Sequence, residues 1–199
     1  MKKFKLTSEF IVDISGVKLF RIKALIEFGN VKAGDLGGYI EKEENLSHMG
    51  DAWVSDDARI SGDAQVFGDT RVFGDARVSG NARVSGDTRV FGDAWVFGDA
   101  RVSGDARVSG NARVSGDAQV SGDARVSGDK DYAYAHGFGS CNRTTTFFRL
   151  KDGDVGVRCG CFYGTLAQFR DKVCETHGET KKAQEYLMLA DLMEIRFKN

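Results

Sequence analysis

The sequence predicts an all-β protein built on a parallel β-helix, with a β cap before it and a small α+β module after it. Three observations predict this fold. From Met49 to Val126 the chain consists of 13 consecutive six-residue units with the consensus Ser/Phe-Gly-Asp-Ala-Arg-Val and no insertion. The second position of the units, followed from Gly50 to Gly128, supplies 13 of the 25 Gly. The chain contains no Pro, a residue that would remove N–H donors from a ladder between strands.

Each unit combines a short strand with a corner. Ala, Arg, Val and the following Ser or Phe alternate between an inward and an outward position, which is the period of a strand. Gly-Asp then interrupts the strand, and Gly tolerates a positive φ at the corner. Such a unit cannot fold alone, but stacked coils can, because each Val then lies about 4.8 Å from the next. Residues 49–129 are therefore predicted to form the β-helix.

The spacing of variant residues predicts three units per coil, and hence a triangular prism. Thr70 and Thr88 both replace the inward Ala and stand three units apart in the sequence. Phe73 and Phe91 have the same separation of three units. Other pairs depart from this spacing, such as the two Trp residues, which are seven units apart.

Residues 1–48 lack the repeat and are predicted to form a β cap over the first coil. Three runs have strand patterns, with a turn at Ser15–Gly16: Phe4–Leu6, Phe10–Val12 and Val17–Ile22. A stacked array needs such a cap at its open end. The stretch Gly34–Gly38 has the glycines of a phosphate-binding loop, but Lys-Ser/Thr and a following helix pattern are missing.

Residues 130–199 are predicted to form an α+β module that packs on the other end of the prism. Asp152-Gly153 separates two strand patterns and is a strong hairpin signal. The two patterns are Thr144–Leu150 and Val155–Cys159. Thr165 and Gln168 form a capping box at the start of a first helix. Gly178 ends that helix, and a second one is predicted to start near Thr180.

Parts of the chain resemble known proteins. The unit Val54–Arg59 is similar to the hexapeptide repeat of left-handed β-helices. The left hand is predicted from that resemblance alone, because the general preference for right-handed crossovers would predict the opposite hand. The cap segment Gly34–Glu41 resembles hexapeptide-repeat proteins of bacteriophages and prophages, as do three tail segments, Thr144–Arg149, Cys159–Phe162 and Thr176–Gly178. The cap is also distantly similar to that of hexapeptide-repeat putative acetyltransferases. The resemblance implies an origin, and it carries no activity or cofactor.

The outward columns of the array suggest what its surface does. Residues 49–129 contain 13 Asp and 9 Arg, and the whole chain has a net charge of −1. This balance argues against a nucleic-acid partner and predicts a surface of neutralising Asp–Arg pairs, each of small energetic value. Outward aromatic residues predict a contact surface: Phe73, Phe91, Trp95 and Phe97. Self-association as a homo-oligomer is favoured over a foreign ligand there, and the resemblance implies a trimer.

Two groups of residues in the tail are candidates for a site. A polar cluster could hold a phosphate or carboxylate, or else be a solvated strand edge: Asn142, Arg143, Thr144, Thr145, Thr146, Arg149 and His177. Cys159, Cys161, Cys174 and His177 have nearly the spacing of metal ligands. The alternatives are three packed thiols, with Cys159 and Cys161 on one strand face and Cys174 on the buried side of a helix, or a Cys161/His177 nucleophile pair.

These observations predict a non-enzymatic phage or prophage scaffold and binding protein, which acts on a host protein or sequesters a small nucleotide ligand, for instance against a host defence. The alternative is an acyltransferase-like enzyme that uses His48, His136 or His177, although the array contains no His. A virion structural part is a third class. The four Cys all lie in the last third of the chain, and no apolar run of about 18 residues suggests a membrane span. We therefore expect a cytoplasmic protein with reduced thiols.

Overall fold

The computed structural model describes residues 2–139 and 142–198. The chain starts with β1 (Phe4–Val12), β2 (Lys18–Ala24) and β3 (Leu36–Ile40), followed by a 3₁₀-helix at Glu43–Asn45. The array contributes 13 two-residue strands: β4 (Trp53–Val54), β5 (Arg59–Ile60), β6 (Gln65–Val66), β7 (Arg71–Val72), β8 (Arg77–Val78), β9 (Arg83–Val84), β10 (Arg89–Val90), β11 (Trp95–Val96), β12 (Arg101–Val102), β13 (Arg107–Val108), β14 (Arg113–Val114), β15 (Gln119–Val120) and β16 (Arg125–Val126).

The array folds into a prism with three parallel sheets, which confirms the predicted coil of three units. The first face has the order β3-β5-β8-β11-β14, with β2 and β1 added at its start. The second face is β4-β7-β10-β13-β16, and the third is β6-β9-β12-β15. Each strand of the array pairs with the strand three units further on, so that Arg77 pairs with Trp95, and Trp95 with Arg113.

The interior of the prism is a stack of Val and Ala. Every Ala and Val at the two inward positions of the array is at most 1% exposed. Thr70 and Thr88 are also completely buried, as predicted for substitutes of the inward Ala. Their hydroxyl groups are satisfied, because Thr70 Oγ1 donates to the carbonyl of Phe67 at 2.8 Å, and Thr88 Oγ1 donates to that of Ser85 at 2.6 Å.

The expectation of a surface covered by Asp–Arg ion pairs is wrong. Among the described residues, which include the whole array, no array Arg has an array carboxylate within the 4.0 Å salt-bridge distance. The two array carboxylates that do have a cation nearby are Asp63, beside Lys42, and Asp117, beside His136. The reason is that Asp lies in the turn while Arg lies on the strand. The charges therefore form separate columns of one sign.

The cap closes the first coil and is partly built into it. β1 and β2 form an antiparallel hairpin, and β3 pairs in parallel with β5. Leu46 also forms a parallel bridge with Val66, so that the first coil includes residues that precede the repeat. Gly37 and Gly38 are buried in this packing, and a Cβ on either would lie 2.6 Å from a carbonyl oxygen of the array. Close packing therefore explains these glycines.

Buried polar groups of the cap satisfy the open edge of the array. Lys3 is 1% exposed, and its Nζ donates to the carbonyls of Gly50 at 3.1 Å and Ala52 at 2.8 Å. Asn45 Nδ2 likewise donates to two carbonyls of the neighbouring corner, both at 2.9 Å. Burial lowers the pKa of Lys3 to about 8 from 10.5, although Asp51 and Asp69 oppose the shift.

The depressed pKa of Lys3 predicts a pH-dependent stability. Between pH 8 and 10.5 the unfolded chain binds a proton that the folded protein has lost, so the free energy of unfolding should rise with pH in this window. The rise due to Lys3 should reach on the order of 2–3 kcal/mol. Urea unfolding of the native protein and of Lys3→Met, compared at each pH, isolates this contribution. A difference between the two proteins that stays constant from pH 7.5 to 10.5 would contradict the prediction.

The C-terminal module is a four-stranded antiparallel sheet with two helices, as the hairpin and helix signals predicted. Its sheet has the order β17-β18-β19-β20, and a 3₁₀-helix at Asp129–Asp131 leads into it. The elements are β17 (Tyr132–Phe138), β18 (Arg143–Arg149), β19 (Val155–Cys159), β20 (Phe162–Thr165), α1 (Leu166–His177) and α2 (Lys181–Phe197).

The sheet of this module closes the last coil of the prism. Ala124 forms a bridge with Leu150, and the backbone N–H of Gln119 donates to Thr146 Oγ1 at 2.9 Å. The buried ring of Phe148 joins the core of the prism, whereas Phe147, one residue earlier on β18, joins a second core with the helices. Alternation along one strand thus attaches the module to the rod.

Candidate functional site

The C-terminal module contains a cavity of about 280 Å³ between its sheet and its helices. Residues from five elements and one turn line it: Arg143, Cys159, Cys161, Phe162, Phe169, Lys172, Val173, Thr176, His177 and Tyr186. Within the part of the chain that the structure describes, no Asp or Glu contributes to this lining. The cavity therefore combines an aromatic interior with basic and thiol side chains.

Helix α1 supplies one wall. Phe169, Val173 and His177 follow one another at every fourth position, a spacing that places them on one side of a helix. Phe169 and Val173 are buried, at 3% and 4% exposure, and they form the apolar part of the wall. Thr165 caps the helix, since its hydroxyl accepts the N–H of Gln168 and its own N–H is bound by the Gln168 side chain. His177, in the last turn, lies at the rim.

Tyr186 of α2 forms the floor and links the surrounding strands. Its hydroxyl group lies 3.8 Å from the sulfur of Cys159 and 3.4 Å from the carbonyl oxygen of Phe138. The His177 ring stacks on it, with 5.8 Å between the ring centroids and 27° between the planes. Gly139 allows this approach, because a Cβ there would collide with the hydroxyl oxygen. The aromatic floor is thus held from three sides.

Basic groups surround the rim. Arg143 lies over the turn between β19 and β20, where a Cβ on Gly160 would collide with its Nη1. Gly160 has φ +58, which suits the first central position of a type II′ hairpin turn. Lys172 pairs with Glu175 at 2.9 Å, so its charge is partly neutralised. Arg143 and His177 are consequently the groups best placed to meet an anion.

The structure divides the predicted polar cluster of the tail. Arg143 and His177 line the cavity, and Asn142 precedes β18 with φ 47. The three threonines are buried in the module, because β18 pairs on both sides and is not a solvated edge: Thr144, Thr145 and Thr146. Arg149 lies at the far end of β18, where its guanidinium donates to the carbonyls of Gly153 and Phe197.

The predicted placement of the cysteines is wrong in two respects. Cys161 is not on a strand face with Cys159, because Gly160 and Cys161 form the turn after β19. Cys174 is exposed instead of buried, since it follows Val173 and points about 100° away from it around the helix. Cys159, Cys161 and His177 line one cavity, whereas Cys174 is not part of its lining. Within the described residues, no three potential metal ligands are close enough to hold an ion.

The three histidines occupy different settings. His48 belongs to the cap, where its ring stacks on Phe4 at 4.4 Å and its Nδ1 accepts the N–H of Lys3. Burial lowers the pKa of His48. His136 is on β17, with Nδ1 at 2.9 Å from Thr144 Oγ1. Only the side chain of His177 lines the cavity described above.

The predicted aromatic contact residues lie around one face of the prism. Phe73 and Phe91 stack with their centroids 4.9 Å apart and their planes 1° apart. Trp95 and Phe97, on the first face, lie 4.5 Å apart. A further aromatic residue of the array, Trp53, is covered by Phe28 of the cap and is 8% exposed. Trp53 is buried, unlike the other outward aromatic residues, because it lies in the first coil next to the cap.

These sheets and corners define the class of the protein, a β-solenoid with three strands per coil. The family model described as YdcK Beta solenoid repeat matches residues 76–92, 100–116, 106–122 and 118–129. Residues 76–92 and 100–129 of the array are thus similar to that repeat. A search of curated protein sequences gives no match. No helix among the described residues is long and apolar enough to cross a membrane.

Proposed function

We propose that this protein is a non-enzymatic scaffold and binding protein, in which the solenoid is the scaffold and the C-terminal cavity is the binding site. The observation that carries the proposal is the composition of the cavity wall. Phe162, Phe169 and Tyr186 offer aromatic surface for a planar ring, while Arg143 and His177 meet an anionic group at the rim. A small ligand that joins an aromatic ring to a phosphate or carboxylate fits this arrangement, and a nucleotide is such a ligand.

The size of the cavity restricts the ligand. Small-molecule sites commonly occupy roughly 300–1,000 Å³, and this cavity, of about 280 Å³, is at the small end. A nucleoside monophosphate is therefore favoured over a dinucleotide or a coenzyme with a long arm.

The proposal extends to the biological setting. The resemblance of the cap and tail segments to phage and prophage proteins supports a viral source and action inside a host cell. Sequestering a nucleotide, or holding a host protein, would then interfere with a host factor or a defence system. Self-association along the prism, with a trimer as the expected form, belongs to the same proposal, and the molecular mass in solution tests it.

Binding of nucleotides tests the proposed site. Isothermal titration with the common nucleoside monophosphates should give a dissociation constant below about 1 mM for at least one of them. Arg143→Ala should weaken that binding at least tenfold, because a charged hydrogen bond contributes about 1.5–3 kcal/mol. Lys151→Ala is the matched control, since Lys151 is an exposed cation of the same module outside the cavity. Equal affinity for the nucleoside without its phosphate would contradict the role of the basic rim.

One observation favours a second candidate function. Cys161 and His177 line the same cavity, and a thiol beside an imidazole is a known arrangement for nucleophilic attack on an acyl group. The second candidate is therefore an acyltransferase-like enzyme that uses Cys161 and His177. Release of free coenzyme A from acetyl-coenzyme A, measured for the native protein and for Cys161→Ser, distinguishes the two. Release that depends on Cys161 would favour the enzyme over the binding protein.

A further inference from the structure

We infer that the first face of the prism is a docking surface for an extended, acidic peptide segment of a partner protein. This surface is separate from the cavity of the C-terminal module. It is a trough that runs along the solenoid from the tip of the β1–β2 hairpin to β17 and α2. Its walls, its aromatic residues and its charges point to this class of partner.

The trough consists of two adjoining grooves. The first has a volume of about 290 Å³ and lies between the hairpin and the first face, where Ile14, Leu19 and Trp95 are among its walls. The second has a volume of about 420 Å³ and reaches from Phe97 to Tyr134. Trp95 and Phe97 belong to one coil and their rings lie 4.5 Å apart. The two grooves therefore lie on either side of this ring pair, and an extended chain that crosses the rings could occupy both.

Aromatic and apolar side chains provide contact area in the trough. The indole Nε1 of Trp95 donates to Ser79 Oγ at 3.0 Å, which fixes the orientation of the ring. Tyr134 is 43% exposed, and Ile14 at the hairpin tip is 99% exposed. A rigid Trp beside Arg and Tyr is the composition that most often carries binding energy at protein interfaces.

Positive charges outnumber negative ones in the lining of the trough, by four Arg to two Asp. Four guanidinium groups line it, and within the described residues none of them has a carboxylate at salt-bridge distance: Arg59, Arg77, Arg113 and Arg196. The two carboxylates in the lining accept hydrogen bonds from backbone N–H groups. Asp13 accepts the N–H groups of Ser15 and Val17, each at 2.9 Å, and Asp129 accepts that of Arg113 at 2.9 Å. A partner with spaced carboxylates would complement this surface.

The corners beside the first face argue against a nucleic acid. Carboxylates border the face on both sides: Asp56, Asp57, Asp75 and Asp93 on one side, and Asp63, Asp99 and Asp117 on the other. A continuous phosphate backbone would be repelled by them, while a peptide can place single carboxylates on the Arg residues. An isologous pairing of two first faces is disfavoured too, since it would bring guanidinium groups opposite each other.

Selection from a random peptide library tests the inference. Displayed 12-residue peptides, selected on the full-length protein, should be enriched in sequences with Asp or Glu on either side of an aromatic or aliphatic residue. A fluorescently labelled peptide from this pool should bind Trp95→Ala and Arg77→Glu at least tenfold more weakly than the native protein. Arg101→Glu is the control, because Arg101 has the same exposed position in the repeat on the third face, and its effect should be below twofold. Circular dichroism confirms that the variants are folded.

Four results would overturn the inference. The first is a selected pool without acidic residues, and the second is an equal loss of binding in Arg101→Glu. The third is tighter binding of a single-stranded oligonucleotide that Arg77→Glu abolishes, since the partner would then be a nucleic acid. The fourth is a lower molecular mass of Trp95→Ala in sedimentation, because the trough would then be an interface between copies of this chain.

Discussion

Deletion of the single residue Ala106 should destabilise the protein by several kcal/mol, on the order of 4–5. Ala106 is the inward residue two positions before Val108, and both are completely buried. Without it, Asp105 moves into the inward position, and a carboxylate in the Val and Ala stack is costly. Ser103 moves to the corner position, which is occupied by Gly in all units from the third onwards.

Deletion of the whole unit 103–108 is the matched control and should cost less than about 2 kcal/mol. Each remaining residue then keeps its own inward, outward or corner position, and the solenoid becomes one third of a coil shorter. Chemical unfolding followed by far-UV circular dichroism compares the two deletions. If both lower the free energy of unfolding equally, position within the unit is not what stabilises the array.

The second large effect is expected at the corners. Gly86→Val should lower the free energy of unfolding by about 3–4 kcal/mol, because a β-branched residue is strained at positive φ and meets the next coil. Gly86 has φ +73, and a Cβ there would lie 2.9 Å from the backbone nitrogen of Gly104. This nitrogen is part of the backbone of the next coil, so it cannot move aside as the end of a flexible side chain could.

Gly16→Val separates the two causes of this effect. Gly16 also has a positive φ, +84, but a Cβ there would have no atom within 4 Å. This variant should cost about 1–2 kcal/mol from the backbone conformation alone. Gly86→Asp should fall between the two, since Asp56 already occupies a corner with φ 55 and accepts the N–H of Gly74. A Gly16→Val as damaging as Gly86→Val would show that contact between coils adds nothing.

The array could be predicted from the sequence because its structure is local and periodic. The three-unit spacing of Thr70 and Thr88 was enough to find the coil, and the inward Val positions follow from alternation. The prediction of Asp–Arg ion pairs was wrong because it used only the closeness of the two residues in the sequence. Asp lies on the turn and Arg on the strand, so their side chains do not come together.

The cavity was only partly predictable because distant segments build it. Arg143 and His177 stand out as polar residues, whereas Phe162, Phe169 and Tyr186 have the pattern of ordinary core residues and reveal their role only when β20, α1 and α2 are packed. Two glycines were the available signal. Gly139 and Gly160 lie where a Cβ would collide with Tyr186 and Arg143. Along the first face, Trp95 and Phe97 were predicted as contact residues, but the groove on either side of them depends on where the hairpin tip and β17 come to lie.

Because three whole units make one coil, the number of units determines how the two ends of the rod are rotated relative to each other. Each unit turns the chain through one third of a revolution, since strands three units apart lie on one face. Adding or removing one unit between the hairpin and β17 would therefore turn one end by about 120° about the long axis. Three units would restore the alignment while changing the length by only about 4.8 Å. In such a molecule the number of repeats sets the angle between the two ends far more than the distance between them.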